Sequence, residues 1–468
     1  MIPLSVAQIS EITGARPDLI TDHNGTVTGP VVIDSRQAGP GSLFAALPGT
    51  RADGHDFAAQ AVAAGATAVL ATRPVGVPAL IVPDVPAALA ALAAAVAALR
   101  PDLTIAAITG SAGKTTTKDL AAQLVETLGP TVSPRNSYNN ELGHPLTVLR
   151  VTGQTRYLVA EMAARGPGHI AALCRISPPR LGVVLCVGHA HAAEFGSLDE
   201  VARAKAELPA ALPADGVALL SADDPRVMAM AGVTAARVVT FGRSPAADVR
   251  AAGVVLDEAG RPGFTLRTEA GSAPVRLRLH GEHNVGNALA AAALAGQLGM
   301  GLDAVAEGLS AATARSRWRM EVTTRPDGVT VVNDAYNANP EALGAALTTL
   351  AAMSRGRRAF AVLGHMTELG AQAGELHEQA GRQAARAGLA GLIVVGEEAA
   401  PMLAGAKADP SWRGELRQVP DAAAAVTEVE RLARPGDVVL VKASRAANLQ
   451  RVALALTGEL DRTPGAAP

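Results

Sequence analysis

The segment ITGSAGKTTTKDL, residues 108–120, combines a glycine-rich turn with a lysine and a threonine. Gly110 and Gly113 allow the backbone to curve closely around phosphate oxygens. Lys114 has the reach to contact the outer phosphates of a triphosphate, and the hydroxyl of Thr115 is a suitable Mg²⁺ ligand. A helix that begins here would add unpaired N–H groups and the positive end of its dipole. The spacing therefore predicts a nucleotide triphosphate site.

This loop departs from the usual spacing at one position. Ile108 stands where a glycine normally occurs, five residues before Gly113. A Gly-Lys-Thr sequence in a chain with 47 glycines is also compatible with an ordinary turn. Apolar residues precede the loop, and helix-forming residues follow from Thr116 onward. The order strand, loop, helix favours phosphate binding over the ordinary turn.

Polar residues end two other predicted strands. Glu161 ends RYLVAEM, where it is either a Mg²⁺ ligand or a solvated strand-end carboxylate. His189 and His191 follow LGVVLCVG two residues apart, so their side chains point the same way on an extended chain. They either share a transition metal, or one faces the nucleotide while the other packs. No third ligand with zinc spacing is evident in the sequence.

Further candidates lie on predicted helices. Lys205 belongs to LDEVARAKAEL, and the residues alone indicate a solvated helix lysine. Asn284 and Asn287 begin an alanine-rich helix, where their amides either contact a purine edge or cap the helix.

These residues need a scaffold that gathers strand ends. The first hundred residues alternate short strands with helices and end in PAALAALAAAVAALR. Between residues 101 and 312 the strands TIAAITG, RYLVAEM, LGVVLCVG and GVALLSA predict a parallel sheet covered on both faces. Between residues 313 and 468 the runs GVTVVNDA, AFAVLGHM, LIVVGEE and DVVLVKAS predict another doubly wound sheet. We expect an α/β protein of three domains, 1–100, 101–312 and 313–468, with a central P-loop ATPase-type sheet and a Rossmann-like C-terminal domain.

Composition excludes several classes of function. The 468 residues exceed one ordinary core and suit about three domains. An aromatic content of 2% argues against stacking platforms for single-stranded nucleic acid, and a formal charge of −2 argues against a nucleic-acid binder. Two cysteines, Cys174 and Cys186, are too few for a disulfide framework and fit a reducing cytoplasm.

The sequence also predicts no membrane segment. The most apolar stretch, residues 75–99, is interrupted by prolines and an aspartate, so it does not form one spanning helix. The first residues, MIPLSVAQISEITGA, lack the basic and apolar regions of a signal peptide. A polar surface of moderate charge is compatible with a monomer.

Several segments follow one another in a characteristic order. They are DSRQAGPGSLFAALPGTRADGHDF, ITGSAGKTTTKDL, NSYNNELGHPLTVL, GHAHAAEFGSLDEVARAKAE, GEHNVGNALAA, WRMEV, NDAYNANPEAL, GHMTELG and VKASRA. This ordered set covers almost the whole chain and resembles the Mur ligase family, the ATP-dependent amide-forming enzymes of peptidoglycan synthesis. It is most similar to the members that add D-alanyl-D-alanine to UDP-N-acetylmuramoyl-tripeptide. The resemblance implies ATP and Mg²⁺ as cofactors, an acyl phosphate intermediate and a UDP-substrate-binding role for the N-terminal domain.

The resemblance also implies roles for individual residues. At the ATP site it implies phosphate contacts for Gly110, Gly113, Lys114 and Thr116, Mg²⁺ contacts for Thr115 and Glu161, adenine contacts for Asn284 and Asn287, a γ-phosphate contact for Arg319 and a ribose contact for Asp334. A second metal ion would be held by His191 and by a carbamylated Lys205. The muramoyl substrate would contact Asn139 and Asn140, and its uridine diphosphate would contact Ser35 and Arg36.

Four positions depart from the family pattern. They are Leu185 and Cys186, where Thr-Asn is frequent, His365, where aspartate is common, and Ala443, where glycine is common. The first two affect the metal site, and the others affect the side that binds the amine.

Three other functions fit parts of the pattern. The related ligase that adds the third amino acid of the same peptide shares the domain plan, but an Asn-Pro-Arg motif is expected there and YNANPEAL stands here instead. A non-catalytic, nucleotide-gated regulator would keep the loop, but the complete set from Lys114 to Lys205 argues against it. Folylpolyglutamate synthetase shares the ATP core without the uridine-site domain.

Overall fold

The computed structural model describes residues 1–49, 52–189 and 195–460. Its strands form four sheets, of two, five, nine and six strands. The two smallest sheets belong to the first domain, the nine-stranded sheet to the central domain and the six-stranded sheet to the third domain. This confirms the α/β class and the predicted three-domain plan, while the boundaries at residues 100 and 312 stay predictions. No helix in the described ranges is both long and apolar enough to cross a membrane.

The first domain is a small, mostly parallel sheet with an antiparallel edge strand. Its strands are β1 (Leu4–Ser5), β2 (Arg16–Asp18), β3 (Thr26–Val27), β4 (Val31–Val32), β5 (Leu43–Ala45), β6 (Ala68–Ala71) and β7 (Ala79–Ile81), and its helices are α1 (Val6–Thr13), α2 (Ala58–Ala63) and α3 (Val85–Ala98). The five-stranded sheet has the order β2-β7-β6-β5-β4. Helix α3 begins where the Asp84 carboxylate accepts a hydrogen bond from Ala87 N at 2.8 Å.

The central domain contains the predicted parallel sheet. Its strands are β8 (Thr104–Thr109), β9 (Thr131–Val132), β10 (Tyr157–Glu161), β11 (Leu181–Val184), β12 (Val217–Ser221), β13 (Arg237–Gly242), β14 (Val249–Leu256), β15 (Pro262–Thr268) and β16 (Gly271–Arg276). Its helices are α4 (Lys114–Val125), α5 (Gly143–Val148), α6 (His169–Ile176), α7 (Leu198–Ala210), α8 (Pro225–Ala229), α9 (Asn284–Gln297) and α10 (Leu302–Ala311). Strand β8 lies between β10 and β11, so the loop after it opens at the middle of the sheet.

One edge of this sheet differs from the prediction. Strands β14, β15 and β16 pair antiparallel and extend the parallel sheet beyond β13. Alternating burial along β15 shows one face against the core and one toward solvent, which an antiparallel edge tolerates. The predicted all-parallel sheet therefore ends in an antiparallel meander.

The third domain is a six-stranded sheet of order β17-β18-β22-β19-β20-β21. Its strands are β17 (Glu321–Thr324), β18 (Thr330–Asn333), β19 (Ala359–Gly364), β20 (Gly391–Val395), β21 (Glu415–Val419) and β22 (Val438–Lys442), and its helices are α11 (Pro340–Met353), α12 (Ala373–Arg386), α13 (Pro401–Ala408), α14 (Ala422–Leu432) and α15 (Gln450–Leu456). All its strand pairs are parallel except β17 with β18. Short 3₁₀ turns complete the chain at Ser35–Gln37, Gly54–Phe57, Met230–Val233, Gly370–Gln372 and Arg445–Ala447.

Helix α4 holds the linker between the central and third domains along its side. Gln123 exchanges two hydrogen bonds with the backbone of Thr313, each 3.0 Å long. Glu126 accepts two hydrogen bonds of 2.6 Å from the Arg315 guanidinium. The Asp119 carboxylate accepts from the backbone N–H of Ser316 at 3.0 Å. The helix that begins at the glycine-rich loop therefore also fixes the point at which the third domain starts.

In the third domain, helices α12 and α13 pack together through glycines. A Cβ atom at Gly381 would overlap the carbonyl oxygen of Met402, and one at Gly405 would overlap that of Glu378. Gly374, at the start of α12, has no atom within 4 Å of such a Cβ position. The two backbones approach as closely as they do because Gly381 and Gly405 lack side chains.

We expect Gly381→Ala to lower the free energy of unfolding by about 1–3 kcal/mol, because the added methyl group pushes two packed helices apart. Gly374→Ala is the matched control and should stabilise the protein slightly, since alanine favours the helix and meets open space. Urea unfolding of both variants measures the difference. Equal stability of the two variants would contradict this account of the contact.

Candidate active site

A cavity of about 890 Å³ lies between the central and third domains. It opens at the carboxyl ends of β8 and β10 from one domain and of β18 and β22 from the other, the usual place for ligands in open α/β sheets. Eleven residues predicted from the sequence line it: Gly113, Lys114, Thr115, Thr116, Asn139, Asn140, Glu161, Asn284, Asn287, Arg319 and Asp334. The structure therefore brings most of the predicted ATP site together.

The glycine-rich loop connects β8 to α4 and needs its two glycines for close approach. A Cβ at Gly110 would lie 2.8 Å from Leu185 Cβ. Gly113 has φ +80°, and a Cβ there would overlap the side-chain oxygen of Asn287. Ser111 braces the loop, since its Oγ accepts from Gly188 N at 2.8 Å. The loop is thus held between α9 and the segment after β11.

Lys114 is the first residue of α4, and its side chain turns back over the loop. Its Nζ donates to the Gly110 carbonyl oxygen at 2.5 Å. Burial lowers the pKa of Lys114, and the nearby Glu161 carboxylate offsets part of that effect. Lys114 lines the cavity at the N-terminus of α4, where bound phosphates would lie.

Thr115 and Glu161 meet directly. Thr115 Oγ1 donates to Glu161 Oε1 at 3.1 Å and lies 2.9 Å from Ser137 Oγ. Asn139 Nδ2 donates to the same Glu161 oxygen at 2.6 Å. Glu161 is only 1% exposed, and its Oε2 is buried without a hydrogen-bond partner. A buried carboxylate oxygen beside a threonine hydroxyl fits the hard-oxygen preference of Mg²⁺.

The Asn139–Asn140 pair has two different surroundings. Asn139 contacts Glu161, as above, whereas Asn140 Oδ1 accepts from Gly143 N at 2.8 Å and so supports the start of α5. Both side chains also line the cavity. Their contact with a muramoyl substrate stays a prediction.

Lys205 lies on α7 and is 95% buried, with 5% of its surface exposed. Burial, reinforced by the positive charge of Lys114, lowers the pKa of Lys205 to about 7. The residues alone had suggested a solvated helix lysine, and the structure contradicts that interpretation. An amine with this pKa is substantially neutral, and therefore nucleophilic, near neutral pH.

Of the two histidines after β11, His189 is among the described residues. His191 lies outside the described residues. His189 Nδ1 is 2.6 Å from Glu341 Oε1, and His189 N donates to the same oxygen at 3.0 Å. Glu341 lies in the first turn of α11, so His189 joins the central domain to the third. Within ranges 1–49, 52–189 and 195–460, no group of three or more His, Cys, Asp or Glu side chains forms a metal cluster.

Arg319 enters the cavity from the linker side of the third domain. Its Nη2 donates to Ser137 Oγ at 2.8 Å, and its guanidinium stacks 4.3 Å from the centre of the Tyr336 ring. Arg319 Nε is buried without a hydrogen-bond partner. The neighbouring residues Trp318 and Met320 have φ of 60° and 52°, in the left-handed region. This uncommon backbone directs Arg319 toward the glycine-rich loop of the other domain.

Asp334 follows β18 and is tied to two neighbours. Its Oδ2 accepts from Lys442 Nζ at 2.6 Å, and its Oδ1 accepts from Met320 N at 3.0 Å. Lys442 Nζ also donates to the Asn337 carbonyl oxygen at 2.9 Å. Asp334 thus steadies the segment that carries Arg319, and the predicted ribose contact stays a prediction.

The amides at the start of α9 form an internal chain. Asn284 Nδ2 donates to the His280 carbonyl oxygen, and Asn287 Nδ2 donates to Asn284 Oδ1, both at 2.8 Å. Asn287 Oδ1 in turn accepts from Thr117 Oγ1 at 3.2 Å. These bonds attach α9 to α4, and both asparagines still line the cavity. Their adenine contacts stay a prediction.

Ser35 and Arg36 lie in the first domain and do not line this cavity. Ser35 Oγ donates to Gln60 Oε1 at 3.1 Å, and Arg36 pairs with Asp34 at 2.7 Å while its side chain is 80% exposed. They mark a separate surface, and their uridine diphosphate contact stays a prediction.

Three residues at the site were missed in the sequence. They are Ser137, which contacts both Thr115 and Arg319, Lys442, which holds Asp334, and Glu341, which pairs with His189. Lys442 ends a strongly apolar strand, and a lysine in that position is an available signal. Ser137 and Glu341 carry no comparable signal, since the contacts of Ser137 with Arg319 and of Glu341 with His189 depend on how two domains meet.

Comparison with known proteins gives a consistent result over the whole chain. Three family models match in succession: "Mur ligase family, catalytic domain" over residues 30–110, "Mur ligase middle domain" over residues 108–295 and "Mur ligase, glutamate ligase domain" over residues 318–445. A protein of Mycobacterium tuberculosis H37Rv named UDP-N-acetylmuramoyl-tripeptide--D-alanyl-D-alanine ligase is 50% identical, with 98% of each chain covered. An Escherichia coli K12 protein of the same name is 36% identical over 97% of this chain and 99% of its own.

Solved structures agree with these relatives. A crystal structure of MurF from Acinetobacter baumannii has 30% identity and a TM-score of 0.84, covering 98% of this chain and 99% of its own. A MurF ligase from Thermotoga maritima in complex with ADP has 29% identity and a TM-score of 0.77, covering 93% and 99%. The ordered motifs, the three-domain fold and these full-length relatives lead to one conclusion: the chain belongs to the Mur ligase family.

Proposed function

We propose that this chain is an ATP-dependent ligase that joins D-alanyl-D-alanine to the terminal carboxylate of UDP-N-acetylmuramoyl-tripeptide. The reaction is a step in making the peptidoglycan precursor, and we place it in the cytoplasm, where ATP is available. The proposal rests on one network of hydrogen bonds that joins the two domains. Thr115, which follows the glycine-rich loop, bonds to Glu161 and to Ser137, and Ser137 accepts from Arg319 of the third domain. Relatives named for this reaction support the choice of substrates.

The chemistry has two displacements. A carboxylate does not react with an amine directly, because it is an anion and a poor electrophile. Its oxygen first attacks the γ-phosphorus of ATP, ADP leaves, and an acyl phosphate is formed. The neutral amine of the dipeptide then attacks the acyl carbon, inorganic phosphate leaves with the electron pair, and the amine gives up a proton. No serine or cysteine nucleophile is required.

The first displacement brings two anions together, and cationic side chains offset their repulsion. Like charges in contact repel by several kcal/mol or more where water is excluded. Lys114 supplies a cation from the start of α4, and Arg319 supplies one from the third domain. Arg319 Nε is a buried N–H group without a hydrogen-bond partner in a residue that lines the cavity, so an anionic oxygen would satisfy it. We assign both residues to the transferred phosphoryl group.

Thr115 and Glu161 fit a Mg²⁺ ion at the same place, given the orphan Glu161 Oε2 and its hydroxyl neighbour. When bound, Mg²⁺ neutralises phosphate charge and helps to position the triphosphate. Asn139 and Ser137 fix the orientation of Glu161 and Thr115 through hydrogen bonds. We propose Asn284, Asn287 and Asp334 for the adenosine part, and Gly113 and Thr116 for the phosphates.

The two other substrates reach the cavity from different domains. Helix α3 of the first domain packs against α5 and α6 of the central domain. The loops before those helices carry Asn139, Asn140 and Arg165, which line the cavity. A peptide held by uridine diphosphate on the first domain, near Ser35 and Arg36, would pass these loops to reach the phosphates. The dipeptide then enters from the strand ends of the third domain.

We propose that Lys205 is carbamylated and that His191 joins it at a second metal ion. The neutral amine of Lys205 attacks CO₂, forms an N–C bond and releases a proton, which leaves a carboxylate at the end of the side chain. Burial favours the neutral amine that reacts, because it lowers the pKa of Lys205 to about 7. The negative charge would also offset nearby Lys114.

The direct test of the reaction is inorganic phosphate release from purified protein with ATP, Mg²⁺, UDP-N-acetylmuramoyl-tripeptide and D-alanyl-D-alanine. We expect release only when all components are present, and a product heavier than the tripeptide by one dipeptide less water. Acceptance of single amino acids with UDP-N-acetylmuramoyl-dipeptide would favour the third-residue ligase. Slow ATP hydrolysis that ignores both substrates would favour the nucleotide-gated regulator.

Arg319→Gln should lower kcat by roughly a hundredfold or more, because a positive group that acts on the transferred phosphoryl is lost. Steady-state kinetics with each substrate varied in turn measures the effect. Arg325→Gln is the matched control, since Arg325 pairs with Asp327 at 2.8 Å and lies in the same domain outside the cavity lining. An unchanged kcat in Arg319→Gln would remove this residue from the proposed mechanism.

Removal of CO₂ from the buffer should lower activity, and bicarbonate should restore it. More bicarbonate should be needed to restore activity below pH 7, because more of Lys205 is then protonated and only its neutral amine attacks CO₂. Carbon-13 NMR with labelled bicarbonate detects the carbamate directly. Lys205→Gln should lose the signal and most activity, whereas Lys407→Gln, at an exposed lysine of α13, should keep both. A wild-type protein that is fully active and free of carbamate signal would refute the modification.

A further inference from the structure

The third domain contributes three strongly cationic side chains to the cavity lining, Arg319, Lys442 and Arg445. The first contacts Ser137 beside the glycine-rich loop, and we have assigned it to the phosphoryl group. Lys442 is 3% exposed and is committed to Asp334 and to the Asn337 carbonyl. Arg445 forms no ion pair with any carboxylate in the described part of the chain. It is the cation of this domain that has no assigned role.

Arg445 is held in place by an aromatic ring. Its guanidinium lies 4.4 Å from the centre of the Trp318 ring, a cation–π contact. Trp318 adopts φ 60° and is itself held by a hydrogen bond of 3.1 Å from its backbone N–H to Glu321 Oε2. Stacking restrains the guanidinium plane. The side-chain oxygen of Gln450, with its amide oriented to satisfy both of its ends, accepts from Arg445 Nη1 at 3.2 Å. The remaining edge N–H groups have no hydrogen-bond partner among the described residues and are available to an acceptor. The side chain is therefore oriented although it is exposed.

The strand ends of the third domain converge beside Arg445. Ser444 Oγ accepts from Thr367 N at 2.9 Å and donates to the Ala338 carbonyl oxygen at 3.2 Å. One hydroxyl thus joins the segments that follow β18, β19 and β22. Arg445 is the next residue and starts the 3₁₀ turn Arg445–Ala447. It lies beyond the carboxyl end of β22, a central strand of the sheet, and a small substrate is expected at such strand ends.

We propose that Arg445 binds the C-terminal carboxylate of the dipeptide and selects amine substrates that carry one. This inference rests on the proposed function, and it names the group that recognises the second substrate. The attacking amine must be neutral, so the carboxylate is the one charge left on the dipeptide. With the amine directed at the acyl carbon beside Arg319, the carboxylate at the other end of the molecule extends toward the strand ends of the third domain. A guanidinium edge binds a carboxylate through two parallel hydrogen bonds.

The experiment compares D-alanyl-D-alanine with its C-terminal amide, D-alanyl-D-alaninamide, as the varied substrate. Wild-type protein should prefer the acid by roughly tenfold to a hundredfold in kcat/KM, the range for a charge-assisted hydrogen bond. Arg445→Gln should lose this preference, because KM for the acid rises while kcat/KM for the amide and KM for ATP stay the same. Arg445→Lys, which keeps the charge without the planar fork, should retain part of the preference.

Arg317→Gln is the matched control. Arg317 flanks the same tryptophan at 6.0 Å, pairs with Glu459 at 3.3 Å and does not line the cavity. It should behave as wild type. A folded Arg445→Gln that still prefers the acid as strongly as wild type would overturn the proposal, as would a rise in KM for ATP alone. Wild-type protein that ligates neither amine would instead refute the proposed function, so the two failures are distinguishable.

Discussion

In the proposed reaction two anions must come into contact in the cavity between the central and third domains, and the placement of charged side chains around that cavity suits this requirement. A triphosphate and a carboxylate repel each other strongly where water is excluded. The central domain supplies a cation, Lys114, at a helix N-terminus, and Glu161 and Thr115 offer oxygen ligands to a metal ion. The remaining positive charge, Arg319, belongs to another domain. The complete charge balance therefore exists only when the two domains lie as they do here, with Arg319 bonded to Ser137.

The position of Arg319 depends on a small network of hydrogen bonds. The residues on either side of it, Trp318 and Met320, are in the left-handed region, which costs of order 1–3 kcal/mol each. Asp334 holds the N–H of Met320 and is itself held by buried Lys442. These contacts stabilise a backbone that the sequence would not adopt locally. The strained backbone places the Arg319 guanidinium in one fixed position. Such preorganised charge is the main source of catalysis in phosphoryl transfer.

Much of this arrangement could be predicted from the chain. The glycine-rich loop follows a buried strand and begins a helix, as its residue order indicates, and Glu161 ends the neighbouring strand. The family and the fold class are confirmed. The contacts that cross domains could not be predicted, because Ser137 meets Arg319 and Glu341 meets His189 only when separately folded sheets come together. The antiparallel strands β14 to β16 were not predicted, although alternation of the kind seen along β15 is typical of antiparallel pairing.

The burial of Lys205 could not be predicted from the neighbouring residues. A lysine among alanines and glutamates has the composition of a solvated helix face, yet α7 turns it inward beside Lys114. Burial then lowers the pKa of Lys205 to about 7, and the neighbouring residues in the sequence do not indicate this shift. The role of His191 stays a prediction for a different reason, as it lies outside the described residues.

Helix α4 carries the glycine-rich loop at its first turn and the domain linker along its side. The three linker contacts differ in what they require of the sequence. Asp119 accepts from a backbone N–H, which any residue except proline at position 316 would supply. Glu126 and Arg315 recognise each other's side chains, so a charge reversal at one position calls for the opposite reversal at the other. The hydrogen bond to Asp119 therefore constrains residue 316 only to be other than proline, although Ser316 is also buried at the cavity, whereas residues 126 and 315 are expected to change together among related proteins.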